Sequence, residues 1–133
     1  MVTLTISTEK SEHWVDITRK LEDLLRQNQW SDGILTVFVP HTTAAVTINE
    51  NADPDVVSDM KMIMQNLVPQ VANYRHMEGN SAAHMKASLF GTSETLIVKD
   101  SKIQLGTWQS VYFCEFDGPR ERNLKVHFTV DLS

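Results

Sequence analysis

Positive charge is scarce and scattered in this 133-residue sequence, where 12 Lys and Arg stand against 17 Asp and Glu, a net charge of −5 at pH 7. No basic cluster stands out, so the surface that phosphate-backbone binding needs is missing and no nucleic-acid partner is expected. Cysteine occurs once, at Cys114, which rules out an internal disulfide. No apolar run approaches the roughly 20 residues that cross a bilayer, so no membrane partner is expected. The opening MVTLTISTEK has neither the basic start nor the apolar stretch of a secretory signal, and the expected location is cytoplasmic. Internal repeats and low-complexity segments are also missing. What is there, 41% hydrophobic residues, suits one globular domain over 1–133 with a sizeable core.

Val2, Leu4 and Ile6 alternate with threonines as one face of a strand. A helix is expected next, capped by Ser11 and carried by Trp14, Ile17, Leu21, Leu24 and Leu25 at helical spacing as far as Gln27-Asn28. The apolar run ILTVFV before Pro40 and the segment AAVTIN at 44–49 read as two strands, with PHTT at 40–43 as a tight connection or bulge between them as a pair. Asp53-Pro54 is a helix start, Asp as N-cap and Pro where a missing N–H does no harm. That helix runs to about Leu67 with Val57, Met60, Met64 and Leu67 as its expected buried stripe. A further helix is expected over 81–90, ending at Gly91. Strand composition then dominates, in TLIV at 95–98, WQSVYFCEF at 108–116 and LKVHFTV at 124–130. Helices and strands are mixed without regular alternation, which favours an α+β fold with largely antiparallel sheet.

The stretch HMEGNSAAH at 76–84 brackets Glu78, Gly79, Asn80 and Ser81 between two histidines. On one continuous helix His76 and His84 would lie about 80° apart and roughly 12 Å along the axis, too far to share one ion. Glycine breaks the backbone direction, and Asn80 or Ser81 can cap a new helix carrying His84. The stretch therefore reads as a loop folded against a helix start. Free N–H groups at such a start, with the helix dipole behind them, suit a phosphate.

Two more stretches carry polar groups on rigid elements. In HTTAAVTINEN at 41–51, Thr43, Ala45, Thr47 and Asn49 share one face of a strand and Ala44, Val46 and Ile48 the other, with His41 at the entrance and Asn49-Glu50 at the exit. In LGTWQSVYFCEFDGPRER, Gln109, Val111, Phe113, Glu115 and Asp117 share one side. Either that side is a functional face, or it is a plain outer sheet face opposite a core of Trp108, Tyr112, Cys114 and Phe116. In DGPR, Pro119 restricts the turn, so the Arg120 guanidinium can meet phosphate oxygens bidentately, or it can form a salt bridge to Asp117 or Glu115.

Together HTTAAVTINENADPD, HMEGNSAAH, LGTWQ and EFDGPRER, in this order over most of the chain, resemble the YjbQ family, small proteins described as secondary thiamine-phosphate synthases. The resemblance implies an α+β, YjbQ-like fold built as a two-sheet, largely antiparallel β-sandwich with about three helices. It also implies a homotrimer with motif residues near subunit interfaces. The implied activity joins a hydroxymethylpyrimidine pyrophosphate to a thiazole phosphate and releases pyrophosphate. Because the thiazole nitrogen attacks as pyrophosphate leaves, that reaction needs no protein nucleophile, and Cys114 is read as buried packing.

Within this frame His41, His76 and His84 are the expected ligands of a divalent ion, zinc or magnesium. The competing reading is that each histidine only hydrogen-bonds in a half-buried pocket or meets phosphate as a cation, and the spacing matches neither a zinc finger nor HExxH. Asn80, Ser81, Gly106, Thr107, Trp108, Gln109 and Arg120 form the expected substrate-binding set. There Trp108 either stacks on the pyrimidine or sits in the core. Glu50, Glu115, Asp117 and Arg120 are the catalytic candidates, and Glu78 joins the carboxylates that would complete coordination or orient histidine N–H groups. A metal with Arg120 would stabilise departing pyrophosphate. His13 and His127 lie outside the motifs and read as surface or sheet-face residues. Two other functions fit the same residues: a metal-containing trimer that binds a phosphorylated metabolite, and a metal-dependent hydrolase.

Overall fold

The computed structural model describes residues 1–132. In chain order the elements are β1 (Val2–Ser7), β2 (His13–Asp16), α1 (Thr18–Gln27), β3 (Gly33–Phe38), β4 (Ala44–Glu50), α2 (Pro54–Leu67), α3 (Ser81–Phe90), β5 (Ser93–Lys99), β6 (Lys102–Ile103), β7 (Gln109–Glu115) and β8 (Glu121–Val130). They form an α+β structure with three helices and two sheets, ordered β1-β8-β3-β5-β6 and β2-β7-β4, in which every pairing is antiparallel. No helix among the described residues is long and apolar enough to cross a membrane.

The alternation of each strand explains the layering. Ile6, Leu35, Val37, Leu96, Val98, Leu124 and Val126 of the larger sheet meet Ala44, Val46, Val111 and Phe113 of the smaller one, and α1 adds Leu21, Leu24 and Leu25 to this core. The other face of the smaller sheet, Trp14, Ala45, Tyr112 and Cys114, packs with Phe116 against Ala83 and Ala87 of α3, with Val57 and Met60 of α2 alongside. The smaller sheet is thus buried on both faces. This is why β7 reads as a nearly continuous apolar run, and why neither of its faces is a plain outer face. Cys114 is fully buried and burial pushes its thiol pKa well up, as packing requires.

Three local expectations are corrected. The segment expected to open a helix at Ser11 is instead β2, with His13 to Asp16 paired against Glu115 to Tyr112, and the helix starts at Thr18. Trp14 fits the period of α1 by coincidence; its burial lies in the second cluster, edge-on to Phe90 and Tyr112. Asp16 Oδ1 accepts the Thr18 N–H at 3.0 Å and so helps open the helix. β3 and β4 are not a pair either: β3 lies between β5 and β8, β4 beside β7, and residues 40–43 cross from sheet to sheet.

Helix α2 begins as expected, with Asp53 Oδ1 accepting the Asp55 N–H at 2.9 Å. Its stripe, however, is incompletely covered. Val57, Met60 and Met64 are half-buried, none of the helix is fully buried, and Leu67 is 70% exposed beside exposed Met62 and Ile63. Helix α3 ends at Gly91, whose φ of 96° favours glycine, but its ψ of 157° makes the exit extended rather than a left-handed helical cap.

Candidate functional site

Three backbone segments converge on one cavity of about 700 Å³: the sheet-to-sheet crossing at 39–43, the approach to α3 at 76–84, and the turn between β7 and β8. The crossing is fixed at both ends. Val39 N–H donates to Thr92 O at 2.7 Å, and Phe116 N–H donates to Thr43 O at 3.1 Å. Between these anchors His41 is held by the Asn123 N–H, which donates to its Nε2 at 2.9 Å. A backbone N–H can only donate, so the His41 proton resides on Nδ1. Burial, then the Arg122 charge, lowers the His41 pKa below 6.5 and keeps the ring neutral.

Gly79, at φ 77°, turns the chain from the histidine loop into α3. The turn brings His76 and His84 together with ring centroids 5.4 Å apart and planes at 87°. The spacing that a single helix forbids is therefore achieved across a loop–helix junction. Asn80 sits at the N-cap position but does not cap. Its Nδ2 instead donates to Asp117 Oδ2 at 2.9 Å, and its buried Oδ1 has no partner. The first turn of α3 thus lacks a side-chain cap, and the cleft holds an unpaired acceptor.

The DGPR turn supplies the opposite wall. Arg120 Nε donates to Asp117 O at 2.9 Å and Nη2 to Asp117 Oδ2 at 3.0 Å, with the side chain about half exposed in the cavity wall. The salt bridge and the site role are therefore compatible: Asp117 uses part of the guanidinium and orients the rest. The same Oδ2 accepts from both Asn80 and Arg120, so Asp117 ties the α3 start to the turn.

Beneath the cavity lies a buried ion pair. Glu115, with no exposed surface, accepts from Thr8 Oγ1 at 2.8 Å, Arg122 Nε at 2.8 Å and the Asp117 N–H at 3.0 Å, and from Arg122 Nη2 as well. Burial alone would raise the Glu115 pKa, but these donors and the Arg122 charge outweigh it and hold it below 4.5. Arg122 also donates to Thr43 Oγ1 at 2.8 Å and Thr43 O at 3.3 Å, which pins the crossing that carries His41. Glu115 therefore acts on the cavity through Arg122 and the backbone.

Arg122 and Thr43 are the site residues that the sequence reading missed. A usable signal existed: Arg122 has the same parity on β8 as Leu124, Val126 and Phe128, the buried positions, and a charge in phase with a core face calls for a buried partner.

His41, His76, Asn80, His84, Asp117 and Arg120 thus line one cavity, joined by Glu78. Ser81 opens α3 beside them. Glu50, Gly106, Thr107, Trp108 and Gln109 lie elsewhere. Ala44 pairs with Glu115 at the cavity end of the smaller sheet and Glu50 with Gln109 at the other, so about 20 Å of strand separates the two groups within one protomer. There Gln109 Oε1 accepts the Gly106 N–H at 2.8 Å, closing the turn on itself, and Trp108 is 62% exposed rather than in the core. His127 is exposed on β8, and His13 Nδ1 accepts the Glu9 N–H at 3.1 Å, in keeping with their place outside the site.

The family model described as UPF0047 protein YjbQ-like matches residues 2–131. The chain belongs to the YjbQ/UPF0047 family. It is 50% identical over 125 residues to the UPF0047 protein YugU of Bacillus subtilis, covering 93% of this chain and 95% of YugU. It is 49% identical over 126 residues to a UPF0047 protein of Methanocaldococcus jannaschii, covering 95% and 91%. A crystal structure of a YjbQ/UPF0047 family protein from Clostridium acetobutylicum superposes with a TM-score of 0.93 at 45% identity, over 97% of this chain and all of that one. The family, and its two-sheet α+β fold, are thereby established for this chain.

Proposed function

We propose that the cavity binds a phosphorylated metabolite beside a divalent cation and supports loss of pyrophosphate, in a thiamine-phosphate-synthase type of transfer. The supporting observation is the gathering of donors in a protein of net charge −5. Arg120, Arg122, the uncapped start of α3 and two adjoining imidazoles border one cavity. Phosphate recognition depends on such local donors rather than on net charge.

His76 and His84 fit as two donors to a cation, since their rings adjoin and both border the cavity, and Glu78 and the unpaired Asn80 Oδ1 offer oxygens nearby. His41 does not fit while the Asn123 N–H occupies its Nε2. Among the described residues no group of three or more His, Cys, Asp or Glu is gathered closely enough to form a metal shell. A bound cation would supply positive charge to the departing pyrophosphate. The protein's own part is to hold pyrophosphate oxygens with Arg120, oriented by Asp117, and with the first amides of α3. The bond from the pyrimidine's methylene carbon to pyrophosphate oxygen then breaks as the thiazole nitrogen bonds to that carbon.

Assembly as a homotrimer belongs to the same reading. Met62, Ile63 and Leu67 of α2, with Val71, Met85 and Leu89, leave apolar surface that a neighbouring copy would cover. A ring of copies would also give Glu50, Thr107, Trp108 and Gln109 a route to the cavity of an adjacent protomer. Light scattering at micromolar concentration is expected to give three times the 15.1 kDa chain mass, and a monomer would refute this part.

A second reading, a binding protein without turnover, is favoured by the engagement of the carboxylates around the cavity: Asp117 in its wall serves Asn80 and Arg120, and Glu115 beneath it is saturated by donors, which leaves Glu78 as the wall carboxylate open to a ligand. Purified protein mixed with the pyrimidine pyrophosphate and thiazole phosphate separates the two. Pyrophosphate release that Arg120→Lys abolishes supports transfer, saturable binding without release supports the second reading, and no binding of either compound refutes both.

A further inference from the structure

Lys86 lies on the buried face of α3 with Ala82, Ala83 and Ala87, and only 6% of it reaches solvent. Lysine is almost never buried without a close partner, because its ammonium surrenders strong hydration. The partner here is distant. Nζ is 3.5 Å from Glu12 Oε2, at the limit of a hydrogen bond, and 5.9 Å from the centre of the Phe116 ring. One long contact leaves most of the three ammonium N–H donors unused. Glu12 shows the complementary deficit: Oε1 is closed off from solvent and has no hydrogen-bond partner. A well-made buried pair brings its charges into hydrogen-bond contact and satisfies the remaining lone pairs, as Arg122 and Glu115 do. Lys86 and Glu12 do neither, and both border a second cavity of about 590 Å³ between the 11–12 loop and the end of α2.

We infer that this second cavity is a ligand site for a zwitterion of α-amino-acid type. Its carboxylate pairs with Lys86 Nζ and its ammonium with the Glu12 carboxylate, whose side chain is 18% exposed and turns about its terminal bond to bring Oε1 to the ligand. A plain anion would leave the orphaned Glu12 oxygen unpaired and face Asp117, which borders this cavity too. A plain cation would leave the Lys86 donors unused and face a like charge. A molecule carrying both charges one carbon apart answers both deficits at once and adds no net charge to a partly dry site. Val68 and Phe116 give the cavity apolar wall, and Gln65 and Gln70 polar wall, for the remainder of the ligand. The site stands apart from the histidines but shares structure with them: Gln70 Nε2 donates to Gly79 O at 3.3 Å, and Asp117 borders both cavities.

The test is calorimetric titration of the full chain with the twenty standard L-amino acids, each binder then compared with its des-amino acid and its carboxamide. At least one amino acid is expected to bind saturably, and both analogues to bind about tenfold more weakly or worse, the loss of one charge-assisted hydrogen bond. Lys86→Met keeps the unbranched apolar stem without the charged end and is expected to weaken binding about 10- to 100-fold. Glu12→Gln keeps an acceptor but not the charge, is expected to weaken binding in the same sense, and decides the matter if the lysine variant does not fold. The inference is overturned if no amino acid binds at about 10 mM, a concentration that detects even weak sites. Equal affinity of the des-amino acid, or unchanged affinity in a folded variant, overturns it as well.

Discussion

Replacing Glu115 by Gln tests whether the buried ion pair organises the cavity. The carboxylate accepts from Thr8, from the Asp117 N–H and twice from Arg122, so all its neighbours are donors. Whichever way the new amide turns, its NH2 group faces an Arg122 N–H, and the Arg122 charge is left in a site where only 3% of its side chain is exposed. Removing one partner of a buried pair costs about 3–5 kcal/mol. A domain of this size holds only about 5–15 kcal/mol in total, so the loss is a large fraction of it. With a urea m-value of about 2 kcal/mol/M, the midpoint is expected to fall by about 2 M. Glu115→Gln combined with Arg122→Met removes the stranded charge and should recover part of that loss. Tryptophan fluorescence in urea, run on the wild type, both single variants and the double variant, gives the coupling energy directly. A coupling below about 1 kcal/mol would show that water or rearrangement compensates the charge, and the pair would lose its organising role.

The same pair sets an acid limit. Because the Glu115 pKa is depressed below 4.5 in the folded state, its contribution is complete above 4.5 and is lost as pH falls through the folded value. Urea midpoints measured from pH 7 to pH 3 should therefore drop at the acid end, and more shallowly in Glu115→Gln; parallel profiles would refute this. Replacing His84 by Ala should abolish bound divalent metal, measured by elemental analysis, while far-UV circular dichroism stays unchanged, and full occupancy in the variant would sink the histidine-site reading. Arg120→Lys keeps the charge but loses the planar fork, so calorimetry should show much weaker pyrophosphate binding with metal content retained; unchanged affinity would return Arg120 to a purely structural bridge to Asp117. Gly33→Ala would place a Cβ 2.1 Å from the Thr129 carbonyl oxygen, on the strand that β3 pairs with. The expected loss is about 1–3 kcal/mol, and a variant as stable as the wild type in urea would contradict the packing of β3 on β8.

Much of the local structure was legible because its signals act over a few residues. Asp53-Pro54 specified the start of α2, Gly79 the turn into α3, and strict alternation the inner face of β1. Periodicity misled at Trp14, where an aromatic in phase with a helix belongs to a four-residue strand stabilised by β7. It misled again along α2, whose apolar stripe has too little of this chain to pack against.

By itself, then, the sequence determined element type, the absence of disulfides and of long apolar spans, and the motifs that mark the family. The tertiary structure alone decided which of those motifs meet. His41 enters the cavity because residues 40–43 cross between sheets, and Arg122, 79 residues away in sequence from Thr43, holds that crossing. Glu50 and residues 106–109, which look equally functional as strings, lie at the opposite end of the smaller sheet because β4 and β7 run antiparallel in a fixed register. Such pairings are set by strand order and by the burial of both faces of a sheet. These are free energies of the whole packed chain, and no short window of residues contains them.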